Sequence, residues 1–269
     1  GRFGLGPLGA PMVGHEALQA MVEHHATLHR DLSDPAALLR SGGDGTELGR
    51  CFPYTRAARP GELAGEQVAA YSALMTASQP LVAQEILGAW PMQQHRCLLD
   101  VAGGEGRFLC AAGLAHPALR LQLFDLPAVA EQGRVRLAAH GLAGRAETFG
   151  GDFLRDPLPR GADIATLIRV AHDHDDARVM HLLRAIRAAL PDDGTLLLAE
   201  PMSGTPGAEP MGDAYFGFYL LAMGRGRPRR RDELAAMLAA AGFDRIRPLA
   251  SRLPLQVQLL QARAARPSA

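Results

Sequence analysis

The chain has 269 residues, balances 28 Lys+Arg against 28 Asp+Glu, and is 48% hydrophobic. That length buries a sizeable core, and zero net charge argues against a nucleic-acid binder, which needs a basic surface. Every cation is arginine, with no lysine and no asparagine, which excludes pyridoxal chemistry on a Schiff-base lysine, a Walker A loop and a glycosylation sequon.

Residues 1 to about 60 are rich in Gly, Pro and His, with a helix expected at His15–His29. His24, His25 and His29 on it read as surface residues. The chain opens at Gly1 in Gly-rich sequence, and residues upstream are expected to be missing. In Gly65–Ala89, Val68, Tyr71, Leu74, Met75, Val82 and Ile86 recur at helical spacing, and Pro80 is expected to kink or split that helix.

Beyond this the texture alternates. Strands are predicted at Cys97–Val101, Leu119–Phe124, Ala146–Phe149, Ile164–Val170, Thr195–Ala199, Arg245–Leu249 and Leu255–Gln261. Helices are predicted at Gly106–Ala115, Ala128–His140, Asp176–Leu190, Asp213–Met223 and Arg231–Ala241. Strand followed by helix, repeated, predicts an α/β fold with a parallel sheet covered on both faces. Ligands of such sheets sit beyond the carboxyl ends of the strands. The longest apolar stretch, Tyr215–Met223, is far below the ~20 residues of a membrane span. No signal-peptide pattern is seen at the start, and Cys51, Cys97 and Cys110 read as thiols of a reducing compartment.

The first strand runs into Asp100-Val101-Ala102-Gly103-Gly104-Glu105-Gly106. Glycines there allow positive φ and close approach of a ligand to the backbone. The GxGxxG spacing of a dinucleotide fold is not present, and carboxylates at strand tips suit a ligand with an ammonium and ribose hydroxyls. Asp125 ends the second strand, where it reads as a ribose acceptor or as a helix N-cap. Asp152-Phe153 follows the third, able to meet an exocyclic amine and a purine face, or simply to form a turn.

These motifs, with Arg169-Val170-Ala171-His172-Asp173-His174-Asp175-Asp176, resemble the S-adenosylmethionine-dependent O-methyltransferases of the caffeate/hydroxyindole type. Leu5-Gly6-Pro7-Leu8-Gly9-Ala10-Pro11, the 67–75 stretch and the 77–83 stretch are similar to the bacterial carotenoid methylases, the demethylspheroidene (hydroxyneurosporene) O-methyltransferases. The resemblance implies a Rossmann-like class I methyltransferase, doubly wound around a seven-stranded, mostly parallel sheet, with a partial N-terminal helical domain. Residues 1–64 would be the remnant of a dimerisation domain, 65–95 linking helices and 96–269 the S-adenosylmethionine-binding catalytic domain. The full-length protein would be a homodimer.

Carried over by position, Ala102, Gly103 and Gly104 would approach the methionine part of the cofactor. Asp125 would hold the ribose, and Leu126 would pack on the adenine. Asp152 and Phe153 would hold the adenine, and Ile168 and Arg169 would close the pocket. His172 takes the place of the catalytic base, braced by Glu200 or Asp173. Three departures stand out. Ala102 replaces a glycine and is tolerable only at negative φ. His174 replaces an aromatic ring near the adenine. The second bracing acid falls near Pro228, where there is none.

A hydroxyl attacking a sulfonium methyl must lose its proton, which a neutral histidine can take. The acceptor is expected to be a hydrophobic small molecule, first the tertiary hydroxyl of a hydroxycarotenoid. The alternatives are an aromatic or polyketide hydroxyl, a relative that keeps the cofactor without transferring methyl, and a regulatory module touching DNA. His172 and His174 among acids could instead ligate a metal, but no convincing third ligand appears, and no metal is expected. Arg225-Gly226-Arg227-Pro228-Arg229-Arg230-Arg231 reads as a solvated loop, or as a rest on anionic lipid that would place a cytoplasmic enzyme peripherally at the inner membrane.

Overall fold

The computed structural model describes residues 4–7, 9–14, 16–57, 60–62 and 79–266. Most of the helix expected at Gly65–Ala89 lies outside these residues, as does any bend before Pro80. From 79 to 89 the chain is an unbroken helix, labelled α4 here.

Seven strands form one sheet in the order β3-β2-β1-β4-β5-β7-β6. They are β1 (Cys97–Val101), β2 (Arg120–Asp125), β3 (Ala146–Gly150), β4 (Ile164–Ile168), β5 (Thr195–Glu200), β6 (Phe243–Leu249) and β7 (Gln258–Ala264). The first five pair in parallel, and β7 runs antiparallel between β5 and β6. β1, β4 and β5 are buried at every position, because helices cover both faces of a parallel sheet and its strands read as continuous apolar runs. One cover includes Val179, Leu182 and Ile186 of α7 (Asp176–Ala189) and Leu234 and Leu238 of α9 (Arg231–Ala240). The other includes Val82 and Ile86 of α4, Phe108 and Leu109 of α5 (Arg107–Ala115), and Leu137 of α6 (Pro127–Ala139).

The last strand lies three residues later than expected. Leu253 accepts the N–H groups of Gln256 and Val257, so Pro254 and Leu255 are spent in a turn, as suits a residue with no N–H to give a ladder. α6 starts at Pro127, whose fixed φ favours the first helical turn.

The N-terminal helices α1 (Glu16–Asp31), α2 (Pro35–Ser41) and α3 (Glu47–Cys51) make a third core with the aromatic helix α8 (Phe216–Met223). Leu28, Leu38, Leu48 and Phe52 pack there on Leu220, Ala222 and Met223. α8 follows a π-helical turn at Pro210–Tyr215, so the single helix expected from Asp213 is irregular at its start. Its last carbonyls are taken from outside: Thr46 Oγ1 donates to Ala222 O at 2.6 Å and Thr55 Oγ1 to Met223 O at 3.0 Å. Gly43 lies so close that a Cβ there would stand 1.9 Å from Leu221 O. The histidines of α1 are not all surface residues. His24 Nε2 lies 2.8 Å from Tyr219 Oη, and the His25 ring stacks on Tyr215 with centroids 5.7 Å apart. Burial, then the neighbouring His25, pushes the His24 pKa down to about 4, so that ring is neutral.

Candidate active site

The parallel register sets Asp100 beside Leu123 of β2 and Thr166 of β4. Thr166 Oγ1 donates to Asp100 Oδ1 at 2.6 Å. Burial, opposed by that bond and reinforced by the charge of Asp125, raises the Asp100 pKa to about 7. The chain then turns over this carboxylate. At Gly103 a Cβ would stand 2.4 Å from Asp100 Oδ2 and 2.8 Å from a methyl of Leu123, so only glycine fits. Gly104, at φ 60°, faces open space, which leaves the backbone bare toward a ligand.

Ala102 has φ 52°, contrary to the expectation of a negative angle. Its N–H donates to Phe124 O at 2.7 Å. The tight turn over Asp100 holds the residue in the left-handed region, at a cost of about 1–2 kcal/mol.

Asp125 is not the N-cap of α6; that position is Leu126. Asp125 Oδ2 accepts the Gly104 N–H at 2.7 Å and Oδ1 the Leu126 N–H at 2.7 Å. The carboxylate thus ties the β2 tip to the glycine turn and keeps a second lone pair on each oxygen for a ligand. Burial lifts its pKa to about 6, against those two bonds. Asp152 forms the expected turn, its Oδ1 accepting the Leu154 N–H at 2.9 Å, and the residue also lines the cavity.

Ala102, Gly103, Gly104, Asp125, Leu126, Asp152, Phe153, Ile168 and Arg169 all line a single cavity of about 1180 Å³ counted out to its open mouth. Tyr54, Gln79 and Arg107, to which sequence reasoning gave no binding role, line it too, as does His174 at the position of the family's aromatic ring. Phe153 meets the His174 ring edge to face at 5.3 Å.

The proposed base lies on a single turn after β4, Ala171–Asp173. His172 Nδ1 bonds Glu200 Oε2, and Glu200 Oε1 accepts the Val170 and Ala171 N–H groups at 2.9 and 2.8 Å. On the other side His172 Nε2 is 3.0 Å from Asp173 Oδ1, an ion-pair distance. Asp173 Oδ2 receives the Tyr54 hydroxyl at 2.7 Å. Burial opposes charge on His172, but Asp173 and then Glu200 overcome it and raise its pKa to about 10. Asp173 thus supplies the second carboxylate on this histidine that the sequence around Pro228 does not. Asp173 lines the cavity, whereas His172 and Glu200 stand behind it.

The arginine run is a solvated loop only in part, with Arg225, Arg230 and Arg231 exposed. Arg229 is buried, and its guanidinium donates to Ala171 O and His174 O, both at 2.6 Å, and to Asp176. Arg227 pairs with Asp176 and Glu233. Just before Arg227, Gly226 packs so tightly that a Cβ would lie 1.9 Å from His172 O. Among the described residues no group of three or more His, Cys, Asp or Glu could hold a metal ion.

A strand-tip cavity thus lies beside a histidine clamped between two carboxylates. A family model described as an O-methyltransferase domain matches residues 54–244, and the chain belongs to that family. It is 46% identical over 247 residues to the demethylspheroidene O-methyltransferase of Cereibacter sphaeroides, covering 92% of this chain and 65% of that one. It is 37% identical to the enzyme of that name in Rhodobacter capsulatus, covering 97% and 65%. The chain therefore spans about 65% of the length of these relatives. Among solved structures it is similar to an O-methyltransferase from neocarzinostatin biosynthesis, in complex with S-adenosylmethionine and 2-hydroxy-5-methyl naphthoic acid (TM-score 0.65, 28% identity, 74% of this chain and 58% of that one).

Proposed function

We propose that the chain is the greater part of an S-adenosylmethionine-dependent O-methyltransferase that acts on a hydroxyl of an apolar small molecule, and that the tertiary hydroxyl of a hydroxycarotenoid is its acceptor. The observation that carries this reading is the convergence of nine strand-tip residues on a cavity whose wall includes Asp173, the partner of His172. The carotenoid assignment leans on the two similar relatives.

The residues fit the cofactor. Gly104 leaves backbone open to it, and His174 Nδ1 is a buried ring nitrogen without a hydrogen-bond partner among the described residues. Bound S-adenosylmethionine would supply a methyl on a sulfonium, the electrophile of an in-line displacement. Asp125 would accept from the ribose hydroxyls, Leu126 would pack on the purine, and Asp152 and Phe153 would hold it by its amine and its face. Ile168 and Arg169 close the pocket. The protein contributes alignment above all, and a place for the proton. His172, held protonated between Asp173 and Glu200, has no lone pair for a further proton. The group that would take the hydroxyl proton is the Asp173 carboxylate, which lines the cavity, with His172 and Glu200 positioning it.

Residues 1–64 would belong to a dimerisation domain, 65–95 to linking helices and 96–269 to the catalytic domain of a homodimer. Among the described residues no helix is long and apolar enough to cross a membrane. A cytoplasmic enzyme resting at the inner membrane would use Arg225 and Arg231, which stay exposed, because Arg227 is held in ion pairs with Asp176 and Glu233 and Arg229 is buried. The test is incubation of the full-length protein with labelled cofactor and a pigment extract. A labelled methoxy-carotenoid is expected; label only in aromatic phenols overturns the acceptor, and no label overturns the activity.

A further inference from the structure

The Asp173 carboxylate is held from two directions. From the sheet side His172, itself bonded to Glu200, brings Nε2 to 3.0 Å from Oδ1. From the N-terminal side Tyr54, in the short helical turn Pro53–Thr55, donates its hydroxyl to Oδ2 at 2.7 Å. Tyr54 stands between two anchors. Phe52 is buried in the third core and meets the Tyr54 ring edge to face at 6.3 Å. Thr55 is buried too, and its Oγ1 donates to Phe52 O at 2.9 Å and to Met223 O at 3.0 Å. At Gly224, just after α8, a Cβ would stand 2.6 Å from that same hydroxyl. Pro53, with its fixed φ, opens the turn between the anchors. A phenol mounted in this way has little freedom left, which suits a group that holds another in place.

We propose that Tyr54 is a positioning residue for methyl transfer, its hydroxyl fixing the Asp173 carboxylate in the cavity wall in the ionised form that can take a proton. This rests on the reading of the site as an O-methyltransferase. In the step, the acceptor oxygen bonds to the methyl carbon as the carbon–sulfur bond breaks. That electron pair goes to sulfur, leaving S-adenosylhomocysteine, and the hydroxyl proton goes to Asp173. The charged groups that face Asp173 are His172 and His174 of its own turn. Arg229, behind the turn, is spent on the Ala171 and His174 carbonyls and on Asp176. Burial opposes the charge on Asp173, but His172, His174 and the Tyr54 hydroxyl together hold its carboxyl below the ordinary value. Without the phenol hydroxyl, Asp173 takes up its proton at a higher pH.

The test is the kcat–pH profile of Tyr54→Phe, followed as label passing from S-adenosylmethionine to an acceptor. Two acceptors are offered in detergent micelles, a carotenoid with a tertiary hydroxyl and a naphthol, and the one that the wild type methylates is used. Leu38→Val is the control, since it loosens the same core away from Asp173. Tyr54→Phe should lower kcat by about 10-fold, a part of what proton transfer supplies. It should also move the acid limb up by about one pH unit, the worth of a hydrogen bond to a charged group. Its calorimetric affinity for S-adenosylhomocysteine should match the wild type, and Leu38→Val should leave the limb in place. If the limb stays put in Tyr54→Phe, or moves equally in Leu38→Val, the role is overturned while the methyltransferase reading stands. A Tyr54→Phe chain that no longer binds S-adenosylhomocysteine would make the bond structural and overturn the role as well. If the wild type methylates neither acceptor, the methyltransferase reading falls and takes the role with it.

Discussion

The Tyr54 hydroxyl donates to Asp173 Oδ2 at 2.7 Å and joins residues 119 apart in the chain. It brings the N-terminal segment into the wall of the catalytic cavity, since both residues line it. Tyr54→Phe leaves a buried carboxylate oxygen without its donor, a loss of about 1–3 kcal/mol. We expect a lower denaturation midpoint and a lower kcat, with the affinity for S-adenosylhomocysteine nearly unchanged. An unaltered midpoint would show that the bond carries no energy.

The clamp on His172 makes stability depend on pH in a definite direction. Its folded pKa of about 10 lies above the ordinary 6.5, so the folded state binds the extra proton. The contribution is complete below about pH 6.5 and disappears as pH rises through 10. Asp173→Asn removes the larger attraction, so it should flatten this decline and move the basic limb of the pH–rate profile toward lower pH. Denaturation midpoints at pH 6, 8 and 10 for both proteins decide it.

Asp100 acts in a different window. Burial raises its pKa from 3.8 to about 7, so the folded state holds a proton that the unfolded chain gives up. Stability therefore falls as pH climbs from about 4 to 7. Asp100→Asn keeps an acceptor for Thr166 and cannot ionise. Relative to wild type it should be more stable at pH 8 than at pH 5, by about 2 kcal/mol from the size of the shift. Parallel melting curves at the two pH values would contradict this.

Ala102 tests the strain in the glycine turn. Ala102→Gly relieves the left-handed cost and adds unfolded-state entropy of about 0.4–1 kcal/mol. The net expectation is a gain of up to about 1 kcal/mol in urea denaturation. Ala102→Val, β-branched at positive φ, should lose stability outright.

Arg229 holds the histidine turn by its backbone. Arg229→Leu leaves two buried carbonyls without their donor and Asp176 with Arg227 alone, and should cost about 3 kcal/mol. Gly226→Ala forces a methyl against His172 O and should reduce kcat while sparing nucleoside binding. Full activity in Gly226→Ala would mean that the turn relaxes without consequence.

Much of this was legible in the sequence because the signals are local. Apolar runs such as Cys97–Val101, the glycines after Asp100 and the acids at the strand tips each report their own few residues, and the cavity gathers those tips. What escaped depends on distance. Nothing near Tyr54 points to a partner 119 residues away. The sequence shows five arginines between 225 and 231, and only the position of the Ala171 and His174 carbonyls selects Arg229 for burial. Gly226 in that run was the one available signal, as a small residue flanked by large ones. The φ of Ala102 escaped because an alanine carries no mark of the turn imposed on it.

The helix that carries Phe216, Phe218 and Tyr219 ends on hydroxyls lent by Thr46 and Thr55. A boundary at residue 64 would therefore not be a mechanical one. Cutting there would strip two carbonyls of their donors, bare the flank on which Leu28 and Phe52 rest, and remove Tyr54 from Asp173. The sheet and its strand-tip cavity are in this sense not a portable module, because the helices before them complete the cavity wall and cap the aromatic helix.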